Sequence, residues 1–525
     1  MRGAFIWDDN LLIVQNASIK HLPGLGGIFS QDMGAGSFAP YRYYRPLQQA
    51  SFALEYAVWG LRPHGYHLGN IVLHILASLC VFALSFFICR NYPAALFASL
   101  VFVSHPAQTE SVSYISSRGD LLAAFFLLSG VFFYVLSLEG RRAGFWYLLS
   151  FCAYGLSLCA KENAVIFLPL IVLYHAAFRK ALCLRKAAAF ACLTGAYVFL
   201  RSLVIPLSFP SPGLILQRVP GFFAACASYL RLLFFPFHLH FAYGDRAFSY
   251  GDPQVWCGIL LCAILIWFAL ARRKKDPLFF FAVFWFLAAL LPFAGIYPVP
   301  AFYMSEHALY IPLFAFALLF ARVIGNALSN RKARLIACAA AVLAIVAYGC
   351  LSVWQNRTWI DPVRFYERNL RYCPECPELY VNLCNEHTVR GDIGKAIAAC
   401  RQAIALDREN PAGYFNLGNA FRQAGDAGQA IGFYRQAVEA NPAYVQAFNN
   451  LVVLLYESGR KKEALLKLAQ ALSLHPDNPQ LLYNAAVLHY HENDREKSVA
   501  YYRRAHRLGF RGADPEFESI MQNTP

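Results

Sequence analysis

Residues 67–89 read HLGNIVLHILASLCVFALSFFIC. At ~1.5 Å of rise per residue this run covers roughly 34 Å as a helix, enough to cross ~30 Å of hydrocarbon. Working outward, comparable apolar runs fall near 92–104, 121–138, 144–160, 163–178, 187–206, 255–271, 277–296, 307–324 and 334–353. Several are short, so tilted or partly interfacial helices are expected among these ten. A chain of 525 residues that is 58% hydrophobic and only 15% charged is too apolar for a pair of soluble domains. The apolar residues gather between about Gly65 and Val353, and the chain beyond Trp354 has ordinary globular charge density.

The net charge of +15 arises in short basic clusters between apolar runs: Arg141-Arg142, Arg179-Lys180, Arg185-Lys186, Arg272-Arg273-Lys274-Lys275 and Arg331-Lys332-Arg334. This is positive-inside spacing, and without a basic groove interleaved with aromatics it excludes nucleic acid as partner. With these clusters cytoplasmic, the N-terminal acidic loop, residues 105–120, Lys161-Glu162, 207–254, 297–306 and the C-terminal domain take the other face. That parity requires Phe222–Phe237 to form a re-entrant or interfacial helix. Most of the fifteen cysteines lie in apolar spans and behave as small hydrophobes. Cys373-Pro-Glu-Cys376 lies outside them and lacks a second pair for zinc, leaving a local disulfide or two thiols.

From about Pro377 the sequence repeats every 34 residues: Asn382, Asn416, Asn450 and Asn484; Gly391, Gly425, Gly459 and Asn493; Ala396, Ala430, Ala464 and Ser498; Ala403, Ala437, Ala471 and Ala505. This is the tetratricopeptide period, with small residues where paired helices approach and Gly ending each first helix. Four repeats bury a continuous core and leave a concave groove suited to a peptide. The expected fold is all-α, with an extracytoplasmic first loop (1–66), a transmembrane domain (67–353), a linker (354–376), four repeats (377–510) and a tail (511–525). Within the first loop, Gly24–Gly27 and Gly34–Gly36 read as turns, beside the stretch Tyr41-Arg42-Tyr43-Tyr44-Arg45-Pro46-Leu47.

Ionisable groups crowd the predicted outer face, where they are costly and usually functional. Asp8 and Asp9 follow Trp7 and offer a base and a substrate ligand. His67, Asn70 and His74 share one helix face, either hydrogen-bonded to neighbouring helices or facing substrate. As one interfacial helix, 105–120 would place Glu110, Ser113 and Ser117 on one side. There His105 and Glu110 have the chemistry to hold a metal or a sugar, and Arg118 a phosphate. The structural alternative is an Arg118–Asp120 or Arg118–Glu110 ion pair. Lys161-Glu162 reads either as an ion pair at a tight turn or as a phosphate contact. No metal is assigned and no cofactor is certain; a divalent cation stays open.

Together, Trp7-Asp8-Asp9, Tyr44-Arg45-Pro46-Leu47, His67-x-x-Asn70-x-x-x-His74, His105-Pro106-x-x-Thr109-Glu110, Arg118-x-Asp120-Leu121-Leu122, Lys161-Glu162 and Glu306-His307-x-Leu309-Tyr310-x-Pro312, followed by repeats, resemble the TMTC-type protein O-mannosyltransferases. The resemblance implies a GT-C glycosyltransferase that moves a sugar, mannose for example, from a polyprenyl-phosphate donor to a protein hydroxyl at the periplasmic or luminal face. It implies Asp8 or Asp9 as base, with Arg45, His67, Asn70, His74, His105, Glu110, Arg118, Asp120, Lys161, Glu162, Glu306 and His307 binding donor or substrate. It also leads us to expect a membrane helix ahead of the acidic motif, and Glu-Arg where this chain has Glu306-His307. The expected location is a bacterial inner membrane, or otherwise the endoplasmic reticulum, with the repeats non-cytoplasmic and a peptide acceptor in their groove. Two rival readings are a membrane-anchored scaffold and a ligase or polymerase of lipid-linked glycans.

Overall fold

The computed structural model describes residues 3–522 apart from 21–24, 38–42, 140–141, 207–210, 245, 295–302, 329–330, 509 and 511–514. The expectations placed on Gly24, Tyr41-Arg42, Arg141 and residues 297–302 lie outside the described residues. Every regular element among those described is helical, and the chain divides into two units, Met1–Arg368 and Asn369–Pro525.

In the first unit, residues 10–66 fold around Leu12, Ile13, Ile19, Met33, Phe52 and Tyr66 and include helix α1 (Pro46–Trp59), which the apolar-run reading did not place. The bundle follows: α2 (Pro63–Cys89), α3 (Tyr92–Ser104), α4 (Arg118–Leu136), α5 (Ala143–Ala160), α6 (Phe167–Phe178), α7 (Leu184–Val204), α8 (Pro212–Phe234), α9 (Pro253–Arg272), α10 (Pro277–Leu290), α11 (Leu313–Leu328), α12 (Arg331–Asn356) and α13 (Pro362–Leu370). Six segments are long and apolar enough to cross a membrane: Pro63–Cys89, Ile115–Leu136, Ala143–Ala160, Leu184–Val204, Pro253–Arg272 and Lys332–Trp359. The shorter apolar helices are Tyr92–Ser104, Glu162–Phe178, Pro277–Phe293 and Leu313–Leu328. Proline stands in the first turn of α1, α2, α3, α8, α9 and α10, where its missing N–H costs no helical bond.

The stretch expected to be re-entrant or interfacial is the second half of the continuous helix α8. Ser211 caps that helix by accepting from Leu214 N at 3.3 Å. Helix α8 packs closely on α9 because Gly258 has no side chain: a Cβ there would stand 1.9 Å from the Phe223 carbonyl oxygen.

The second unit is a solenoid of helix pairs: α14 (Pro377–Arg390) with α15 (Ile393–Leu406), α16 (Pro411–Gln423) with α17 (Ala427–Ala440), α18 (Val445–Glu457) with α19 (Lys461–Leu474), and α20 (Pro479–His491) with α21 (Arg495–Arg507). Gly391, Gly425 and Gly459 end the first helix of each pair at φ of 81°, 81° and 77°, the left-handed region glycine tolerates, and Asn493 takes the same place at 61°. The 34-residue asparagine phase ties repeats together, Asn450 Nδ2 donating to Asn419 Oδ1 and Asn484 Nδ2 to Asn449 Oδ1. Basic and acidic residues after Arg368 are equal in number, so the whole charge excess belongs to the first unit.

Cys373 and Cys376 are disulfide-bonded, and a second disulfide, Cys384–Cys400, joins α14 to α15. The second escaped the sequence reading because only the packed pair brings those residues together. Replacing both Cys384 and Cys400 by Ser should destabilise the first repeat by about 3 kcal/mol through restored loop entropy. Hydrogen exchange of the full chain checks this, and unchanged protection in α14 and α15 would refute it.

Candidate active site

The segment His105–Asp120 organises the site. Instead of one interfacial helix it is a 3-10 turn (Pro106–Gln108), a helical turn (Thr109–Ser113), a second 3-10 turn (Ile115–Ser117) and then α4. The break is Tyr114, extended at φ −80° and ψ 112° because its ring stacks on Trp359 and its hydroxyl accepts from Asp8 N at 3.2 Å. The segment is almost wholly buried, so no polar face lies along a surface.

Its Ser116 holds the acidic loop. Asp9, 1% exposed, accepts from Ile6 N (3.0 Å) through one oxygen and from Ser116 N (2.8 Å) and Ser116 Oγ (2.5 Å) through the other. Burial pushes the Asp9 carboxyl up to about 7 against the pull of these donors. Because that lies above its unfolded value of 3.8, the folded chain keeps the proton longer and loses stability as pH rises from about 4 to 7. The wild-type thermal midpoint should therefore gain on that of Asp9→Asn between pH 7.5 and 5, by up to about 1.4 kcal/mol per pH unit; a pH-independent gap would refute it. Trp7, at φ 56°, donates its N–H to the Tyr366 hydroxyl at 3.1 Å and packs its ring on Phe241, and Asp8 beside it is half-buried.

Three further groups of predicted residues gather along the segment. Arg118, 2% exposed, pairs with Glu55 at 2.9 Å, donates to the Tyr66 carbonyl at 2.7 Å and to Asn70 Oδ1, and lies over the Phe52 ring. It pairs with neither Asp120 nor Glu110. Asn70 in turn donates to the carbonyls of Val112 and Tyr114. His67 lies buried against Gly3. His74 Nε2–H donates to the Val103 carbonyl (3.1 Å), so Nδ1 accepts from the Tyr310 hydroxyl (2.7 Å). His105 caps its turn and donates from Nε2 to the Leu233 carbonyl. His74 and His105 thus tie separate stretches of the chain together.

The second group holds two ion pairs. Lys161 Nζ donates to both oxygens of Asp120 (2.7 and 2.8 Å), and Arg45 makes a two-point pair with Glu162 (3.0 and 2.6 Å). Lys161 thus bonds to α4 and Glu162 to the residue ahead of α1, and not to each other. Gln48, one turn after Arg45, donates to the Ser116 carbonyl at 2.7 Å and ties this group to the acidic loop.

The third group lies at Glu110. Its Oε1 takes the ring Nδ1 of His307 (2.6 Å), and its Oε2 accepts from Glu306 N (3.0 Å) and His307 N (3.3 Å). Glu306 accepts from His240 N (2.6 Å) and the Tyr243 hydroxyl (2.8 Å). Sequence reasoning missed Glu55, Gln48, Tyr114, Ser116, His240 and Tyr243. Only Gln48, next to the Arg45 motif, and the closely spaced His238, His240 and Tyr243 carried a local signal. No cluster of three or more metal-ligating side chains occurs among the described residues.

A tetratricopeptide-repeat family profile matches residues 386–445 and 449–510. The chain is 25% identical over 401 residues to protein O-mannosyl-transferase F38B6.6 of Caenorhabditis elegans, covering 73% of this chain and 56% of that protein. It is 31% identical over 191 residues to protein O-mannosyl-transferase TMTC4 of Homo sapiens (32% and 26% covered) and 30% identical over 177 residues to TMTC2 of Homo sapiens (32% and 21%). It therefore spans about half the length of the first relative, and 26% and 21% of the other two. Among solved structures, the repeat protein YrrB aligns at 20% identity over 34% of this chain and 90% of that one, with a TM-score of 0.26. The chain is a tetratricopeptide-repeat membrane protein similar to the TMTC-type protein O-mannosyltransferases.

Proposed function

We propose that this chain is a GT-C type membrane glycosyltransferase that transfers a hexose, mannose for example, from a polyprenyl phosphate to a Ser or Thr hydroxyl of a protein. The observation that carries the reading is the division of labour in the acidic pair. Asp9 spends both oxygens fixing the loop to Ser116, while Asp8 stays half-buried at its surface. Asp8 is then the base that takes the acceptor hydroxyl proton as the oxygen attacks the anomeric carbon. The bond to the lipid phosphate breaks, and that group leaves with the electron pair as a phosphate. Lys161 and Arg45 are the cations placed to take up its charge, held until then by Asp120 and Glu162. His67, Asn70, His74, His105 and Arg118 position the segment that carries the site.

The two disulfides support an oxidising compartment for the second unit, hence a periplasmic or luminal face. The concave side of the repeats is the place for an acceptor peptide. Buried ionisable groups along one segment favour this reading over a scaffold, for which one anchoring helix suffices. The test is transfer of labelled sugar from polyprenyl-phosphate mannose to a Ser/Thr peptide by the full chain in detergent. Peptide binding without transfer would overturn the reading in favour of the scaffold, and transfer to a glycan alone in favour of the ligase.

A further inference from the structure

Glu110 and Glu306 are each 1% exposed and stand side by side at the turn Glu306–Leu309. They are not equivalent. Glu110 takes three donors, the His307 ring among them, over its two oxygens. Glu306 receives only the His240 N–H and the Tyr243 hydroxyl, on a single oxygen. Burial, and after it the neighbouring Glu110, push its carboxyl well above the usual range. Its second oxygen has no hydrogen bond among the described residues.

The turn Pro106–Gln108 packs against Glu306–Leu309. Gln108, 2% exposed, has neither amide atom hydrogen-bonded among the described residues, nor have Thr109 Oγ1 and Ser111 Oγ. Buried polar groups left this way cost free energy unless water or a ligand satisfies them. Next to Glu306 stand half-exposed rings: His240 packed on Tyr243 with centroids 3.9 Å apart, Tyr303 at 6.4 Å from Tyr243, and His307 at 6.3 Å from Phe293. A ring of hydroxyls with an apolar C–H face suits a carboxyl with one oxygen to spare, an unsatisfied amide and aromatic edges.

The geometry points to Glu306, with Gln108 and Tyr243, as the site that recognises the hydroxyls of the transferred sugar. This rests on the donor reading above and adds which end of the donor these residues select. Binding of polyprenyl-phosphate mannose and of sugarless polyprenyl phosphate to the full chain in detergent separates the two. Wild type should bind the sugar-bearing lipid more tightly. Glu306→Ala should lose roughly tenfold for that lipid and keep its affinity for the sugarless one, which also reports that the variant is folded. Glu306→Gln, neutral and still able to donate and accept, should stay within about threefold of wild type on both. Equal weakening of both lipids by Glu306→Ala, or no effect on either while wild type binds both, overturns this inference alone. Wild-type chain that binds neither lipid overturns the donor reading and this inference with it.

Discussion

Asp8→Asn in the full chain should transfer sugar about 10²–10⁴-fold more slowly than wild type, the range a positioned base contributes, with the donor bound as before. The expectation follows from the unequal surroundings of the two acids. Asp9 is closed off by Ile6 N, Ser116 N and Ser116 Oγ, so a hydroxyl cannot reach it without breaking the loop. Asp8 keeps partial exposure; its own N–H donates to the Tyr114 hydroxyl and that of Trp7 to the Tyr366 hydroxyl, which fixes the backbone there. Asp9→Asn should also lower transfer, but with a lowered thermal midpoint, because it disturbs the loop and not the proton transfer. Single-turnover transfer read beside thermal unfolding distinguishes them. Unchanged chemistry in Asp8→Asn with a stable fold would remove Asp8 as base.

The largest stability effect should come from Glu55→Ala. It leaves the Arg118 guanidinium, 2% exposed, without its carboxylate, and breaking a buried pair from one side costs about 3–5 kcal/mol. Arg118→Met should cost less, since the Glu55 side chain keeps 17% exposure and can be hydrated or protonated once its partner is gone. Thermal unfolding of the two variants in detergent decides the order. The reverse order would mean that Asn70 and the Tyr66 carbonyl, not Glu55, carry the stabilisation of Arg118.

Much of the chemistry around residues 105–120 was legible as a set of residues and illegible as a set of bonds. Glu110, Glu306 and His307 were singled out separately and do meet, yet their partners His240 and Tyr243 lie in a stretch without periodicity. Lys161 and Glu162 read as a neighbouring ion pair. The backbone at Lys161 is extended, φ −159° and ψ 140°, and successive side chains of an extended chain point opposite ways. One therefore reaches Asp120 on α4 and the other Arg45 ahead of α1. The Arg118 pair failed for a similar reason: nearness in sequence suggested Asp120 or Glu110, whereas α1 brings Glu55 alongside.

By itself the sequence determined what depends on period and length. The apolar runs of Pro63–Cys89 and its fellows made helices, because each turn satisfies its own backbone without any distant partner. The 34-residue repeat made the solenoid, down to the left-handed Gly391, Gly425, Gly459 and Asn493, because every repeat buries its apolar face on the next. Only the tertiary structure decided which acid is buried and which half-buried, where each cation is held, and that Cys384 meets Cys400. Hydrogen bonds, ion pairs and disulfides act over a few ångströms and carry no sequence address, so their partners are fixed only when helices distant in the chain are packed together.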